Sequence, residues 1–187
     1  HGEAPHDGAL SLSGVVTDQM RGMSFTAGMG ECVVLLDMNN TVLSDLVRLL
    51  SRGAQPQEGE ILVGGERWAR DARRLSLQLG FVGEDPIHTS LFREMSYLDN
   101  LCFWLDRREP ALWLNSAIRK SIVREYEPLV GEDIHAPDIT GLSPASLYSL
   151  VYYRAHLLHP RVLFCVQPFS GADMYLRRHI IDLIGQV

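Results

Sequence analysis

The sequence predicts an α/β fold built on a mainly parallel sheet, and three observations carry that expectation. Two short runs, Glu31–Leu36 and Val162–Val166, are almost continuously apolar, as strands buried on both faces are. Elsewhere apolar residues recur at three-to-four spacing, the pattern of helices packed along one stripe. Strand-like and helix-like stretches alternate, with a long helical insert between the two apolar runs. The 187 residues suffice for one domain with a real core.

In chain order, Leu10–Val16 and Gly22–Thr26 are short strands joined by the polar turn Thr17–Arg21. Met29-Gly30 turns into the apolar strand Glu31–Leu36, and a polar loop, Asp37–Thr41, follows it. Val42, Leu43, Leu46, Val47, Leu49 and Leu50 then take helical spacing, with Thr41 or Ser44 as the cap. Gly59–Val63 is a strand ending in the turn Gly64-Gly65, Trp68–Ser76 is helical, and Leu79–Val82 is a strand. Met95–Trp104 and Trp113–Tyr126 are helices separated by the charged linker Asp106–Pro110. Ser143 suits a cap and Pro144 a first helical position, opening a helix that runs to His159-Pro160. Asp173–Val187 is the last helix.

Composition sets the function classes. Hydrophobic residues make up 46% and charged residues 21%, with a net charge of −6, so nothing favours nucleic acid or an anionic membrane surface. Of the 17 basic residues Lys120 is the only lysine. Cys32, Cys102 and Cys165 are scattered, which reads as reduced, buried thiols of a cytoplasmic protein. No apolar stretch reaches bilayer-spanning length, and no signal peptide is visible. The start His1-Gly2-Glu3, without Met, reads as an excised domain.

A strand, a polar loop and a helix over residues 31–50 form the architecture of a phosphate-binding loop. The run GMSFTAGMGECVVLLDMNNTVLSDLVRLLSRGAQPQEGEILVGG resembles the opening of an ABC transporter nucleotide-binding domain. LGFVGEDPIHTSLFREMSYLDNL is similar to that family's Q-loop and the segment after it. GLSPASLYSLVYYRAHLLHPRVLFCVQPFSGAD resembles the signature, its helix, the Walker B strand and the D-loop. The likeness is collinear over residues 9–187, and Glu84-Asp85-Pro86 resembles the second cassette of monosaccharide importers.

The resemblance implies one P-loop-type cassette over residues 1–187, with a RecA-like core at 1–86 and 160–187 and a helical subdomain at 87–159. It implies a small antiparallel β part beside the parallel sheet. The chain ends at Val187, before the place of the family's switch-loop histidine, so the cassette is expected to be truncated there.

The departures from the family pattern concentrate on its chemistry. A working loop reads G-x-x-x-x-G-K-S/T, because glycines let N–H groups curl around phosphates and the lysine neutralises them. The matching residues here are Asp37, Met38, Asn39, Asn40, Thr41, Val42, Leu43 and Ser44. Asp37 and Val42 replace the glycines, and β-branched Val resists positive φ. Leu43 replaces the lysine, while Ser44 keeps the hydroxyl that would touch Mg²⁺. Asp37 and Asp45 are expected to repel phosphate, against a helix N-terminal attraction of only about 1 kcal/mol.

Val166 and Gln167 stand where the family has a metal-binding Asp and a water-polarising Glu. Gln167 can orient water but cannot take a proton as Glu would. Glu84 stands at the Q-loop glutamine, and Ser143, Pro144, Ala145 and Ser146 stand in the signature, where Pro144 removes an N–H. Ser170, Gly171 and Asp173 keep the D-loop pattern.

Other groupings have plainer readings. His156 and His159 with Cys165 lack a further ligand pair at zinc spacing, so a solvated helix end is expected and no metal. Glu84-Asp85 reads as a surface turn that couples to a partner helix. Trp104, Trp113, Tyr152 and Tyr153 read as packing, and Tyr148, Tyr152 and Arg154 as part of a dimer face.

Three functions compete. The first is a non-hydrolysing cassette paired with another cassette, in cis or trans, in a sugar-importer-like assembly under a transmembrane permease. The second is a weak ATPase working through Ser44 and Gln167, which lacks charge stabilisation worth several kcal/mol. The third is a sensing or interaction module that kept the fold outside transport. No cofactor is firmly expected, and any binding of ATP and Mg²⁺ is expected to be weak. The protein is placed in the cytoplasm, peripheral to the membrane's inner face, and takes no nucleic acid.

Overall fold

The computed structural model describes residues 8–108 and 116–186. The expected linker after residue 108, Trp113 and Val187 lie outside the described residues. The chain divides into two compact units, one holding residues up to Phe81 with Pro160–Phe164, the other Val82–His159 with residues from Cys165 onward.

The first unit is built on a four-stranded antiparallel sheet. β1 (Leu10–Val16), β2 (Arg21–Ala27), β3 (Glu58–Val63) and β4 (Glu66–Arg67) lie in the order β2-β1-β3-β4. Leu10 and Leu12 face one side, opposite Val63 and Ile61 on β3, and all four are buried. A register shift after Ser13 hands the inward position to Val15, keeping the core row apolar through the irregularity. Gly59 makes this possible, since a Cβ there would sit 2.4 Å from the Gly14 carbonyl oxygen. Helix α1 (Thr41–Arg52) buries Leu46, Leu49 and Leu50 against this sheet, and Gly53 ends it in a left-handed conformation. Each such leucine contributes roughly 1.5–3 kcal/mol, so Leu50→Ala would cost about 2–5 kcal/mol. Trp68 is buried in the same core and donates its indole N–H to Ala54 O at 2.6 Å. The short α2 (Ala72–Ser76) follows, capped by Asp71.

β5 (Leu79–Val82) and β6 (Val162–Cys165) form a separate two-stranded sheet. Phe81 and Phe164 stack across it with ring centroids 5.3 Å apart. The expected buried strand Glu31–Leu36 is not assigned as a strand: residues 31–37 pair with no strand among the described residues. The run alternates nonetheless. Leu35 turns toward the core, while Val34 is 75%, Leu36 94% and Met38 101% exposed. An apolar run fixes the preference for a strand, but a strand also needs backbone pairing with a neighbour, and residues 31–37 make none among the described residues. Cys32, expected to be a buried thiol, is exposed for the same reason.

The second unit is helical: α3 (Pro86–Thr89), α4 (Tyr97–Arg108), α5 (Ser116–Val130), α6 (Pro144–His156) and α7 (Met174–Ile184). Asn100, fully buried, fixes the entry to α4. It accepts from Phe92 N and donates to the carbonyls of Phe92, Met95 and Ser96 at 2.8–3.3 Å. Tyr97, Tyr126 and, on α6 itself, Tyr152 are buried, and that burial pushes their phenols above the ordinary range. α7 is pinned to α6 by His179, whose Nε2 lies 3.1 Å from Ala145 O and 2.9 Å from Ser149 Oγ. A carbonyl only accepts, so Nε2 carries the proton and His179 is not a base toward Ser149. Among the described residues no helix is long and apolar enough to cross a membrane.

Candidate functional site

In the first unit the loop before α1 is closed by one of its own side chains. Asn40 takes a left-handed conformation, φ 55°, and contributes no side-chain cap. Neither Thr41 nor Ser44, the expected caps, does this work. Instead Asp37 reaches over the helix start. Its Oδ2 accepts from Val42 N at 2.8 Å and Leu43 N at 3.1 Å, and its Oδ1 accepts from Asn39 N at 3.4 Å. Helix N-termini leave such N–H groups without intrahelical partners, and a carboxylate satisfies them well. The sequence reading took Asp37 as a source of repulsion; in the structure it is also the acceptor for backbone N–H groups at the helix start.

Asp45 has a different role from the one expected. It is buried in the second turn of α1, accepts from Thr17 Oγ1 and pairs with Arg48. The Thr17 hydrogen bond leads in holding its carboxyl below the ordinary range, burial opposes it, and Arg48 adds to the lowering. Thr17 Oγ1 also accepts from Met20 N at 3.1 Å. Asp45 therefore fastens α1 to the β1–β2 turn, and its charge is compensated. Beside it an open depression of about 330 Å³ is lined by Gln19, Thr41, Ser44, Asp45 and Arg48. It contains no aromatic ring to stack a nucleobase. Leu43 is half-buried and supplies no positive charge.

The remaining residues singled out by the sequence lie in the second unit. Ser143 caps α6, accepting from Ser146 N at 3.2 Å, with Pro144 in the first turn. Ser146 Oγ donates to Asp133 Oδ2 at 2.5 Å, placing a carboxylate beside this helix start as well. Glu84 and Asp85 are exposed, and Asp85 opens α3 in a left-handed conformation, φ 47°. His88 Nδ1 lies 2.7 Å from Asp85 Oδ1, an exposed pair worth little. Val166 donates its backbone N–H to Val82 O at 2.9 Å. Gln167 is exposed with φ 45°, at the turn that leaves β6. Ser170 and Gly171 are exposed, and Asp173 caps α7, accepting from Leu176 N at 2.8 Å. The intact look of that last motif thus has a local structural cause.

Tyr148, Tyr152 and Arg154, expected on a dimer face, are all buried and offer no exposed surface. Arg154, 4% exposed, donates to Ser90 O and Ser90 Oγ, both at 2.8 Å, and lies 5.8 Å from the Trp104 ring centre. Burial pushes its guanidinium down to about 10. Trp104, expected in the packing, is 39% exposed, while Tyr152 and Tyr153 are buried as expected. His156 Nδ1 lies 2.8 Å from the Tyr126 hydroxyl. No cluster of metal ligands forms among the described residues.

Sequence reasoning missed Asn100, His179 and the capping role of Asp37. Only Asp37 carried a signal, an acidic residue shortly before a helix start.

No protein-family model matches the chain. It is 30% identical over 166 residues to the sulfate/thiosulfate import ATP-binding protein CysA of Methylococcus capsulatus, covering 86% of this chain and 45% of that protein. It is also 30% identical over 154 residues to CysA 1 of Agrobacterium fabrum, covering 81% and 43%. The chain thus spans less than half the length of these relatives. In structure it is similar to cbiO1 of Clostridium perfringens, part of the ABC transporter complex cbiONQ. The TM-score is 0.78 at 19% identity, over 96% of this chain and 73% of that one.

Proposed function

This chain has the fold of an ATP-binding-cassette domain, and from that premise we propose that it is a non-hydrolysing cassette of an importer. It would support a second, working cassette at the cytoplasmic face of a transmembrane permease. The observation that carries this reading is the start of α1. Leu43 takes the lysine position, the nearby Arg48 is paired with Asp45, and the loop's N–H groups are bound by Asp37. Phosphoryl transfer is catalysed almost entirely by positioned charge. Val166 and Gln167 offer neither a metal ligand nor a proton acceptor at the family's other acidic positions.

Ser44 would lie against Mg²⁺ if the metal arrived with a nucleotide, yet Asp45 next to it is already committed to Thr17 and Arg48. The site therefore fits Mg–ATP poorly. For the solute, relatives named for sulfate and thiosulfate support an oxyanion importer over a sugar importer. The likeness of Glu84-Asp85-Pro86 to monosaccharide cassettes finds no support among these relatives.

Steady-state ATPase measurement on the purified chain tests the reading. Turnover should stay at background with Mg²⁺ present. Mg²⁺-dependent turnover that disappears in Ser44→Ala would instead establish the weak ATPase.

A further inference from the structure

We propose that the free edge of β2 takes residues 31–36 of a second copy of this chain and gives its own run in return, so that two added strands close a dimer. This surface is independent of the reading of the chain as a non-hydrolysing cassette.

Two unsatisfied elements follow one another in the first unit. β2 is the outermost strand of its sheet and pairs with β1 on one side only among the described residues. Such an edge is a template for another strand. Charge and proline are the usual guards of an edge, and residues 22–27 carry neither. The run that follows is the matching piece. No backbone group of residues 32–36 bonds to another backbone group among the described residues. Its sequence, Cys-Val-Val-Leu-Leu, suits a strand. Met29, Val34, Leu36 and Met38, in and beside it, are between 70% and 101% exposed, a concentration of apolar surface that water disfavours.

Three features choose a second copy as the occupant. The first is alternation. Met23 and Phe25 of β2 pack against the core, as does Leu35 of the run, while Ser24, Val34 and Leu36 are exposed. An antiparallel register with Leu35 opposite Met23 and Val33 opposite Phe25 keeps both faces consistent. The second is charge. The same register sets Arg21, the one charged residue of β2, against Asp37 at the end of the run. The third is that the run does not pair with its own β2. Glu31 N donates to Gly28 O at 3.3 Å and Gly28 N donates to Glu31 Oε2 at 2.7 Å, closing the turn on itself before the run begins. Every other copy offers the same strand and the same edge. Exchange of an identical element between copies costs little and, being reciprocal, closes at two.

Sedimentation velocity on the purified chain, from about 5 to 500 µM, should show a monomer–dimer equilibrium and nothing larger. Deuterium exchange at the amides of residues 32–36 should slow as the dimer forms. Val34→Pro removes a ladder N–H at an exposed position and should weaken the dimer at least about tenfold. Arg21→Glu sets like charges together and should weaken it about fivefold, while Arg21→Lys restores it. A chain that stays monomeric throughout would overturn the second copy as occupant and leave the edge to another strand. A dimer that Val34→Pro leaves unchanged, or growth beyond two copies, would also overturn it. If Val34→Pro does not fold, exchange in the wild type decides alone: amides of residues 32–36 that exchange equally fast at every concentration would sink the proposal.

Discussion

The starts of α1 and α6 solve the same problem in opposite ways. Both leave backbone N–H groups that need acceptors. At α6 the answer is local and ordinary: Ser143 caps, Pro144 sits in the first turn, and a neutral hydroxyl receives Ser146 N. At α1 the residue before the helix, Asn40, caps nothing with its side chain, and a carboxylate three residues earlier takes two donors at once. A hydroxyl cap stabilises a helix without bringing a charge of its own, and at α6 the nearby carboxylate of Asp133 is held through Ser146 Oγ and not by the helix's N–H groups. A carboxylate cap stabilises it and also changes what the end can bind. The comparison teaches that the group closing a helix start sets the charge at that end as well as its stability.

Substitutions can break this contrast in graded steps. The largest effect is expected one turn into α1. Asp45→Ala removes the tie to Thr17 and the partner of Arg48, so urea unfolding should show a loss of about 2–3 kcal/mol. Next comes Asp37→Ala, at about 1–2 kcal/mol, in the upper part of the range for lost caps because two donors lose an anionic acceptor. Ser143→Ala should cost about 1 kcal/mol, and raising the salt concentration should narrow the gap between the two, since only the Asp37 contribution is screened. A finding that Ser143→Ala costs more would remove the distinction between the two helix starts.

Acid titration sharpens the comparison from another side. Asp45 is held below its ordinary value, so its contribution is complete above the unfolded carboxyl pKa of about 4. It is lost as pH falls through the lower folded value. Stability measured between pH 5 and pH 2, on the order of that window, should fall less steeply in Asp45→Asn than in the wild type. Equal slopes would mean that Asp45 adds nothing in the folded state. The smallest effect belongs to Ser146→Ala, expected at about 0.5–1 kcal/mol through its hydroxyl bond to Asp133.

How much of this could be read from the sequence differs from residue to residue. Leu10–Val16 and the cap at Ser143 followed from alternation and from residue type, because both are local properties. The run Glu31–Leu36 did not become a strand, since periodicity states a preference and says nothing of a partner edge. Asp45 looked like free negative charge because its partner, Thr17, lies 28 residues away. Arg154 looked like a surface residue because α6 is buried nearly all round, so its periodicity pointed to no face. Asp37 was read only as a residue that does not suit a phosphate loop. Its role as acceptor for the N–H groups at the start of α1 depends on the left-handed turn at Asn40, which residue type alone does not dictate.

The most direct test of the central claim is calorimetric titration of the purified chain with ATP, with and without Mg²⁺, up to millimolar nucleotide. A non-hydrolysing cassette whose loop N–H groups are already bound should give no binding heat and no rise in melting temperature in either case. Micromolar, Mg²⁺-dependent binding would contradict it and would make Ser44 the residue to pursue.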